Sequence, residues 1–147
     1  MNKEDYSQIR EICNDMASGN WEKHWKDNKY ILRPSGNPLT KEQNTAMRNS
    51  KDIIIEKEDM VSINSIEIYG EIAVSCFTVH QIFSYKGNKE NDVSVVLAVF
   101  KKENNGWKMI NGSRSQGRKP GEEMPKFLNT DQNKDGQYNW FGVENES

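Results

Sequence analysis

The sequence predicts an α+β fold in which three N-terminal helices pack on a strongly curved antiparallel sheet and form a cone around an apolar pocket. Helical periodicity is confined to about the first 50 of the 147 residues, and strand-type sequence with Gly and Asn turns follows. The predicted strand at residues 72–85 is about 14 residues long, and a strand of that length must curl. One domain is expected at residues 1–118, followed by a polar tail with aromatic anchors at residues 119–147.

Two helices are predicted before residue 30. Residues 4–16 place apolar side chains, among them Ile9 and Met16, at three- and four-residue spacing, which is typical of an amphipathic helix. The Ser-Gly-Asn that follows breaks this helix and can cap a second, shorter one. That second helix carries Trp21 and Trp25, which are four residues apart and therefore lie on one face.

A short extended segment and a third helix come next. Residues 30–32 are extended, and residues 33–38 form a loop because two prolines and a glycine exclude regular structure there. Thr40 begins the third helix, Gln43 completes a capping box, and Met47 faces inward.

The rest of the domain is predicted to be sheet, with strands at residues 53–62, 65–69, 72–85, 93–102 and 107–115. The connections between them, including one at residues 86–91, contain the Gly or Asn of hairpin turns, so consecutive strands are antiparallel neighbours. The long strand is apolar on both faces. We therefore expect its outer face, together with His80, Phe100, Trp107 and Met109, to form the interface of a homo-oligomer, a dimer or larger.

Composition narrows the function classes. The chain has 20 Lys and Arg against 22 Asp and Glu, so no basic field favours nucleic acid or a membrane surface as a partner. A charged N-terminus without an apolar stretch predicts a cytoplasmic location. Cys13 and Cys76 form no CxxC pair and are expected to be buried thiols. Nothing in the sequence indicates a cofactor.

The order of elements over about residues 4–118 resembles the nuclear transport factor 2-like superfamily. The final strand, Trp-Lys-Met-Ile-Asn-Gly-Ser-Arg-Ser at residues 107–115, is similar to that of the calcium/calmodulin-dependent protein kinase II association domain. Trp107 and the Arg114-Ser115 pair match, whereas Asn111 and Ser113 stand where histidines are usual. Residues 30–38 resemble a segment of SnoaL-like proteins.

The resemblance implies a pocket arginine at Arg114. Strand alternation then turns Ile110, Gly112 and Arg114 inward, and Trp107 and Met109 outward. The same alignment turns Phe77, Val79 and Gln81 inward on the long strand. On the next strand it turns Val95, Leu97 and Val99 inward. Two further arginines of the association domains would fall at Val79 and Leu97, which are apolar here, so a carboxylate site with several arginines is not expected.

The predicted ligand-binding residues are Trp25, Tyr30, Arg33, Met47, Phe77, Gln81, Leu97 and Arg114. A guanidinium in an apolar pocket offers a planar fork to an oxyanion. Three alternatives remain open: a structural role for Arg114 beside a helix acid or at the rim, a surface position for Arg33, and a plain core role for the aromatic residues.

No catalytic residue is singled out. His24 is expected to be exposed and His80 to lie at the oligomer interface, and a base could come only from Asp15, Glu22 or Asp27 on the helices. No metal site is predicted. Asp131, Asn133 and Asp135 match the first half of a calcium loop, but position twelve is Gly142 and a polar turn is favoured over a weak calcium site.

Two function classes follow. The first is a non-catalytic small-molecule-binding or oligomeric assembly domain whose apolar pocket is anchored by Arg114. The alternative is a SnoaL-like lyase, isomerase or hydrolase acting on a small organic substrate. The first is favoured because the inward strand positions supply neither an acid nor a histidine.

Overall fold

The computed structural model of the chain describes residues 3–104, 106–117 and 119–120. The helices are α1 (Lys3–Ala17) and α2 (Lys41–Arg48), and the strands are β1 (Tyr30–Leu32), β2 (Pro38–Thr40), β3 (Ile53–Tyr69), β4 (Ile72–Tyr85), β5 (Asn88–Glu103) and β6 (Gly106–Arg114). The six strands form one sheet in the order β2-β1-β6-β5-β4-β3. Neighbours are antiparallel except β1 and β6, which run parallel where Leu32 faces Ser113. The α+β class is confirmed, the sheet is mixed rather than wholly antiparallel, and the cone stays a prediction.

The prediction of a second helix before residue 30 is wrong, because this segment forms a single 3₁₀ turn at Glu22–His24. Trp21 precedes this turn without a side-chain cap, and Asn28 has a left-handed φ of 62°, so the segment is not continued as a helix. Helix α1 ends at Ala17, and Gly19, two residues later, has a left-handed φ of 101°. Its N–H donates to the Met16 carbonyl, as in a Schellman motif.

The start of α2 follows the prediction. The Gln43 N–H donates to Thr40 Oγ1 at 3.2 Å, and Gln43 Oε1 accepts from the Thr40 N–H at 2.9 Å, so the capping box is complete. Met47 is partly buried against the core, as expected. The helix therefore lies beside the sheet with one face turned towards it.

Strand β3 is continuous where two strands were predicted. Its pairing with β4 shifts register between Ile55 and Lys57, between Met60 and Ser62, and between Ile63 and Ser65. Extra residues of this kind increase the local twist of a strand. The two strands predicted at residues 53–62 and 65–69 are thus one strand with bulges.

The hairpin between β4 and β5 sets which β5 residues face the core. Its turn is only Lys86-Gly87, with φ of 48° and 84°, so that Phe77 lies opposite Val96. Val96, Ala98 and Phe100 therefore face the core. The predicted inward orientation of Val95, Leu97 and Val99 is wrong, because Phe77 faces the core and its partner across this hairpin is Val96.

A bulge in β6 turns Trp107 and Met109 towards the core, although both were predicted on the outer face. Val99 lies opposite Asn111 but Phe100 lies opposite Met109, so Ile110 is an extra residue. Alternation is interrupted there, and Trp107 and Met109 join Gly112 on the core side. Trp107, Met109 and Phe100 are at most 3% exposed. The predicted outer set with His80 is therefore wrong for these three residues.

The core lies between α1, the 3₁₀ turn and the inner sheet face, and its largest fully buried side chains include Trp25, Phe77, Phe100, Ile9, Met16 and Met109. Trp21 lies at its edge, with ring centroids 6.1 Å from Trp25 and 6.4 Å from Phe77. Both cysteines are free and buried, as predicted, and burial raises the pKa of the Cys13 thiol to about 11.

Candidate functional site

A cavity of about 220 Å³ lies between the inner sheet face, the β1–β2 hairpin and α2. Most of its wall is apolar: Trp21, Ile31, Pro34, Leu39, Met47, Ile53, Ile55 and Phe83. Its polar lining consists of Arg33, Asn44, Arg48, Gln81, Asp92 and Arg114, with Gly117 beside them. A mainly apolar cavity with a few convergent polar groups is the usual form of a small-molecule site.

Arg114 is the most strongly positioned polar side chain of this cavity. Its Nε donates to Ser94 Oγ at 2.9 Å and its Nη2 donates to Gln81 Oε1 at 2.7 Å. Within the described part of the chain, Nη1 makes no hydrogen bond. Burial lowers the pKa of the Arg114 guanidinium, and the nearby Glu58 and Asp92 act in the opposite direction. Arginine nevertheless stays protonated in proteins, so the cavity holds a fixed positive charge.

A second arginine lies across the cavity on α2. Arg48 donates from Nη1 to Glu58 Oε1 at 2.7 Å and from Nη2 to Glu58 Oε2 at 3.0 Å. The Glu58 side chain is 9% exposed, so this is a largely buried, bidentate ion pair. The Nε of Arg48 is buried and has no hydrogen-bond partner among the described residues. Arg48 is therefore neutralised by Glu58 but carries one unsatisfied donor.

Asp92 places a carboxylate in the cavity wall. It lies opposite Gln81 in the β4–β5 pairing. A Cβ added at Gly117 would lie 2.5 Å from Asp92 Cβ, so the backbone that follows β6 packs directly on Asp92. Asp92 was not predicted as a site residue because the strand was expected to start at Val93. The Lys86-Gly87 pair was the available signal, since a two-residue turn there puts Asp92 and Ser94 on the Gln81 side.

Four of the eight predicted ligand-binding residues line this cavity: Arg33, Met47, Gln81 and Arg114. Trp25 and Phe77 are packed in the core instead, and Trp25 Nε1 donates to the Lys29 carbonyl at 2.9 Å. Tyr30 and Leu97 lie outside the cavity and are 43% and 39% exposed. Leu97 is excluded by the β5 register described above. Ile110, the bulge residue, does not line the cavity either.

The candidate helix bases are paired away from the cavity. Hydrogen bonds from His24 and Lys23 lower the pKa of Asp15, and a hydrogen bond from Lys41 lowers the pKa of Asp27. Glu22 is exposed and lies on an open groove on the other side of α2. None of these three acids lines the cavity, so none is placed to act there as a general acid or base.

Both histidines have partners outside the cavity. The prediction that His24 is exposed is wrong, since its Nε2 lies 2.9 Å from Asp15 Oδ2 and its side chain is 16% exposed. His80 Nε2 lies 2.7 Å from Asn91 Oδ1 on the outer sheet face. Within the described residues no cluster of His, Cys, Asp and Glu could hold a metal ion. The calcium-loop sequence at residues 131–136 lies outside the described residues.

The model of a family described as proteins of unknown function (DUF3804) matches residues 4–120. The chain belongs to this family. No curated protein matches this DUF3804 chain. Among its described residues no helix is long and apolar enough to cross a membrane.

Solved structures similar to the DUF3804 chain are NTF2-like, which confirms the predicted resemblance. An NTF2-like protein of unknown function from Prochlorococcus is 28% identical, with a TM-score of 0.69 over 80% of this chain and 95% of that one. A protein from Exiguobacterium sibiricum, provisionally assigned as a Ca/calmodulin-dependent kinase II association domain, is 14% identical (TM-score 0.62; 82% and 98%). A protein from Streptomyces avermitilis, provisionally assigned as a dehydratase of the NTF2-like family, is also 14% identical (TM-score 0.53; 76% and 93%). At 14% identity the likeness concerns the fold alone.

Proposed function

We propose that this protein is a non-catalytic binding domain for a small organic anion, whose carboxylate or similar oxyanion binds Arg114. The observation that carries the proposal is the fixed guanidinium: Ser94 and Gln81 hold two of its nitrogens, and Nη1 is left for a ligand. A guanidinium fixed in this way loses little side-chain entropy when an oxyanion binds.

The charges around the cavity favour an anion. Among the described residues, three arginines and the acid Asp92 line it, and Glu58 balances Arg48. One positive charge is left over in surroundings of low dielectric, where a charge-assisted hydrogen bond is strong. The volume of about 220 Å³ is below the ~300 to 1,000 Å³ of sites for drug-sized ligands, so the part of the ligand inside the cavity is compact.

The alternative is a SnoaL-like lyase, isomerase or hydrolase, and Asp92 is the observation that favours it. A carboxylate in an apolar cavity beside a fixed cation is suited to move a proton on a bound substrate. Asp92→Asn separates the two functions. A binding domain keeps or gains affinity for an anion, because a negative charge near Arg114 is removed, and it shows no turnover to lose. An enzyme loses turnover of the bound compound while still binding it.

The binding proposal is tested with a panel of small carboxylates by thermal shift and isothermal titration. We expect Arg114→Gln to weaken the best carboxylate about 10- to 100-fold, since a hydrogen bond to a charged group contributes ~1.5 to 3 kcal/mol. Arg114→Lys keeps the charge without the planar fork and should weaken binding less. Arg10→Gln, at an exposed position of α1, is the matched control and should have no effect.

The outcome that contradicts the proposal is a carboxylate that stabilises the wild type and Arg114→Gln equally. Circular dichroism verifies that each variant is folded, and Arg114→Lys keeps the test informative if Arg114→Gln fails to fold.

The homo-oligomer and the cytoplasmic location predicted from sequence remain part of this proposal. Sedimentation of wild type and Leu97→Glu, on the outer sheet face, would test the first.

A further inference from the structure

An open groove adjoins the cavity on the side of the β1–β2 hairpin. It has a volume of about 480 Å³. Five residues line both spaces: Arg33, Leu39, Met47, Ile53 and Phe83. Tyr85, which is 45% exposed, lines only the groove. Because the two spaces share these walls, the groove is the outer continuation of the cavity.

An apolar strip leads from the charged end of the cavity into this groove. Gln81, Phe83 and Tyr85 alternate along β4 and therefore share one face, which spans about 13 Å at ~3.3 Å per residue. On β3, Ile55 lies opposite Phe83, and Ile53 lies opposite Tyr85. The strip thus begins at the hydrogen-bond partner of Arg114 and ends at a partly exposed tyrosine.

We infer that the ligand is an elongated amphipathic carboxylate of the medium-chain fatty-acid type. Its carboxylate binds Arg114, and its apolar chain runs along Phe83 and Ile53 into the groove. This inference rests on the proposed function, which it makes more specific. The cavity alone is too small for such a chain, but the groove supplies the additional length. A bound chain would also cover the exposed part of Tyr85, removing apolar surface from water.

The length of the strip can be measured with a homologous series. We expect the affinity of straight-chain alkanoates, from butanoate to dodecanoate and each below its micelle concentration, to rise about fourfold per methylene group in isothermal titration. The rise should level off once the chain fills the ~13 Å strip. Alcohols of the same chain lengths, which lack the charge, should bind much more weakly.

Two neighbouring isoleucines give a matched pair of variants. Ile53 lines the cavity and the groove, whereas Ile54 points away from them and is 62% exposed. Ile53→Ser should weaken decanoate about tenfold and butanoate much less, because a short chain contacts little of the strip. Ile54→Ser should change neither. Thermal unfolding of both variants without ligand verifies that each is folded.

The possible results separate this inference from the proposed function. If butanoate binds through Arg114 but decanoate binds no better, the chain-binding inference is overturned and the proposed function stands. If no alkanoate binds in an Arg114-dependent way, both fail. Equal losses in Ile53→Ser and Ile54→Ser would overturn the assigned path of the chain. A change of sedimentation instead of affinity in Ile53→Ser would make the groove a contact between subunits, which also overturns the inference.

Discussion

Replacing Glu58 with glutamine tests the charge balance on which the site depends. The substitution keeps the size of the side chain but removes the negative charge that binds Arg48 through two hydrogen bonds of 2.7 and 3.0 Å. Arg48 and Arg114 then remain with one counter-charge fewer. Removing one partner of a buried pair costs about 3 to 5 kcal/mol. Since the Arg48 side chain is 21% exposed, water relieves part of this cost, and we expect a loss of about 3 kcal/mol.

Urea unfolding at neutral pH measures this loss directly, and a thermal scan should show a lower Tm by about 6 to 12 °C. The adjacent Asp59→Asn is the matched control, because Asp59 is 61% exposed and its contact with Lys57 is 3.5 Å long. We expect it to cost less than about 1 kcal/mol. A Glu58→Gln loss no larger than that of the control would refute the reasoning. Adding Arg48→Met to Glu58→Gln should recover part of the stability, because the unpaired charge is then removed.

Three further predictions concern stability. Lys102 donates to the Asp5 carboxylate and lowers its pKa, so this pair stabilises the fold above about pH 4 and the stabilisation is lost as pH falls through the lowered pKa. Asp5→Asn should remove this part of the acid dependence, measured by urea unfolding between about pH 7 and pH 3. An unchanged pH profile of stability would contradict this prediction. Gly19→Ala should lower the free energy of unfolding in urea by about 1 to 2 kcal/mol, because the φ of Gly19 is 101° and the new Cβ would lie 3.0 Å from Glu58 Oε1. An unchanged midpoint of unfolding would argue against the left-handed cap. Deleting Ile110 should remove the bulge and leave Trp107, Met109 and Gly112 on the core side in regular alternation, so the variant should still unfold cooperatively in urea; a deletion variant that fails to fold would argue against the bulge.

The types of the elements were largely predictable because they depend on local pattern. The period of residues 4–16 predicted α1, and the capping box of Thr40 and Gln43 predicted the start of α2. The short segment before Asn28 was overpredicted as a helix, since two tryptophans four residues apart satisfy a helical period without a cap that could sustain one.

The candidate site was predictable only in part. Arg114 and Gln81 were both expected to face inward, and the structure joins them by a hydrogen bond. Asp92 was missed because a loop was assumed where the hairpin turn has two residues. Arg48 was missed because its partner, Glu58, belongs to another element, and no spacing within the chain indicates such a pair.

The sequence by itself determined the order and type of most elements and the arginine at the end of β6. Tertiary structure decided which residues face which way in β5 and β6. Alternation predicts two faces for each strand but does not say which one meets the core, and that choice depends on the turn and on the bulge at Ile110. For the same reason only the folded chain brings together Arg114, Ser94 and Gln81 from three strands into one hydrogen-bonded arrangement.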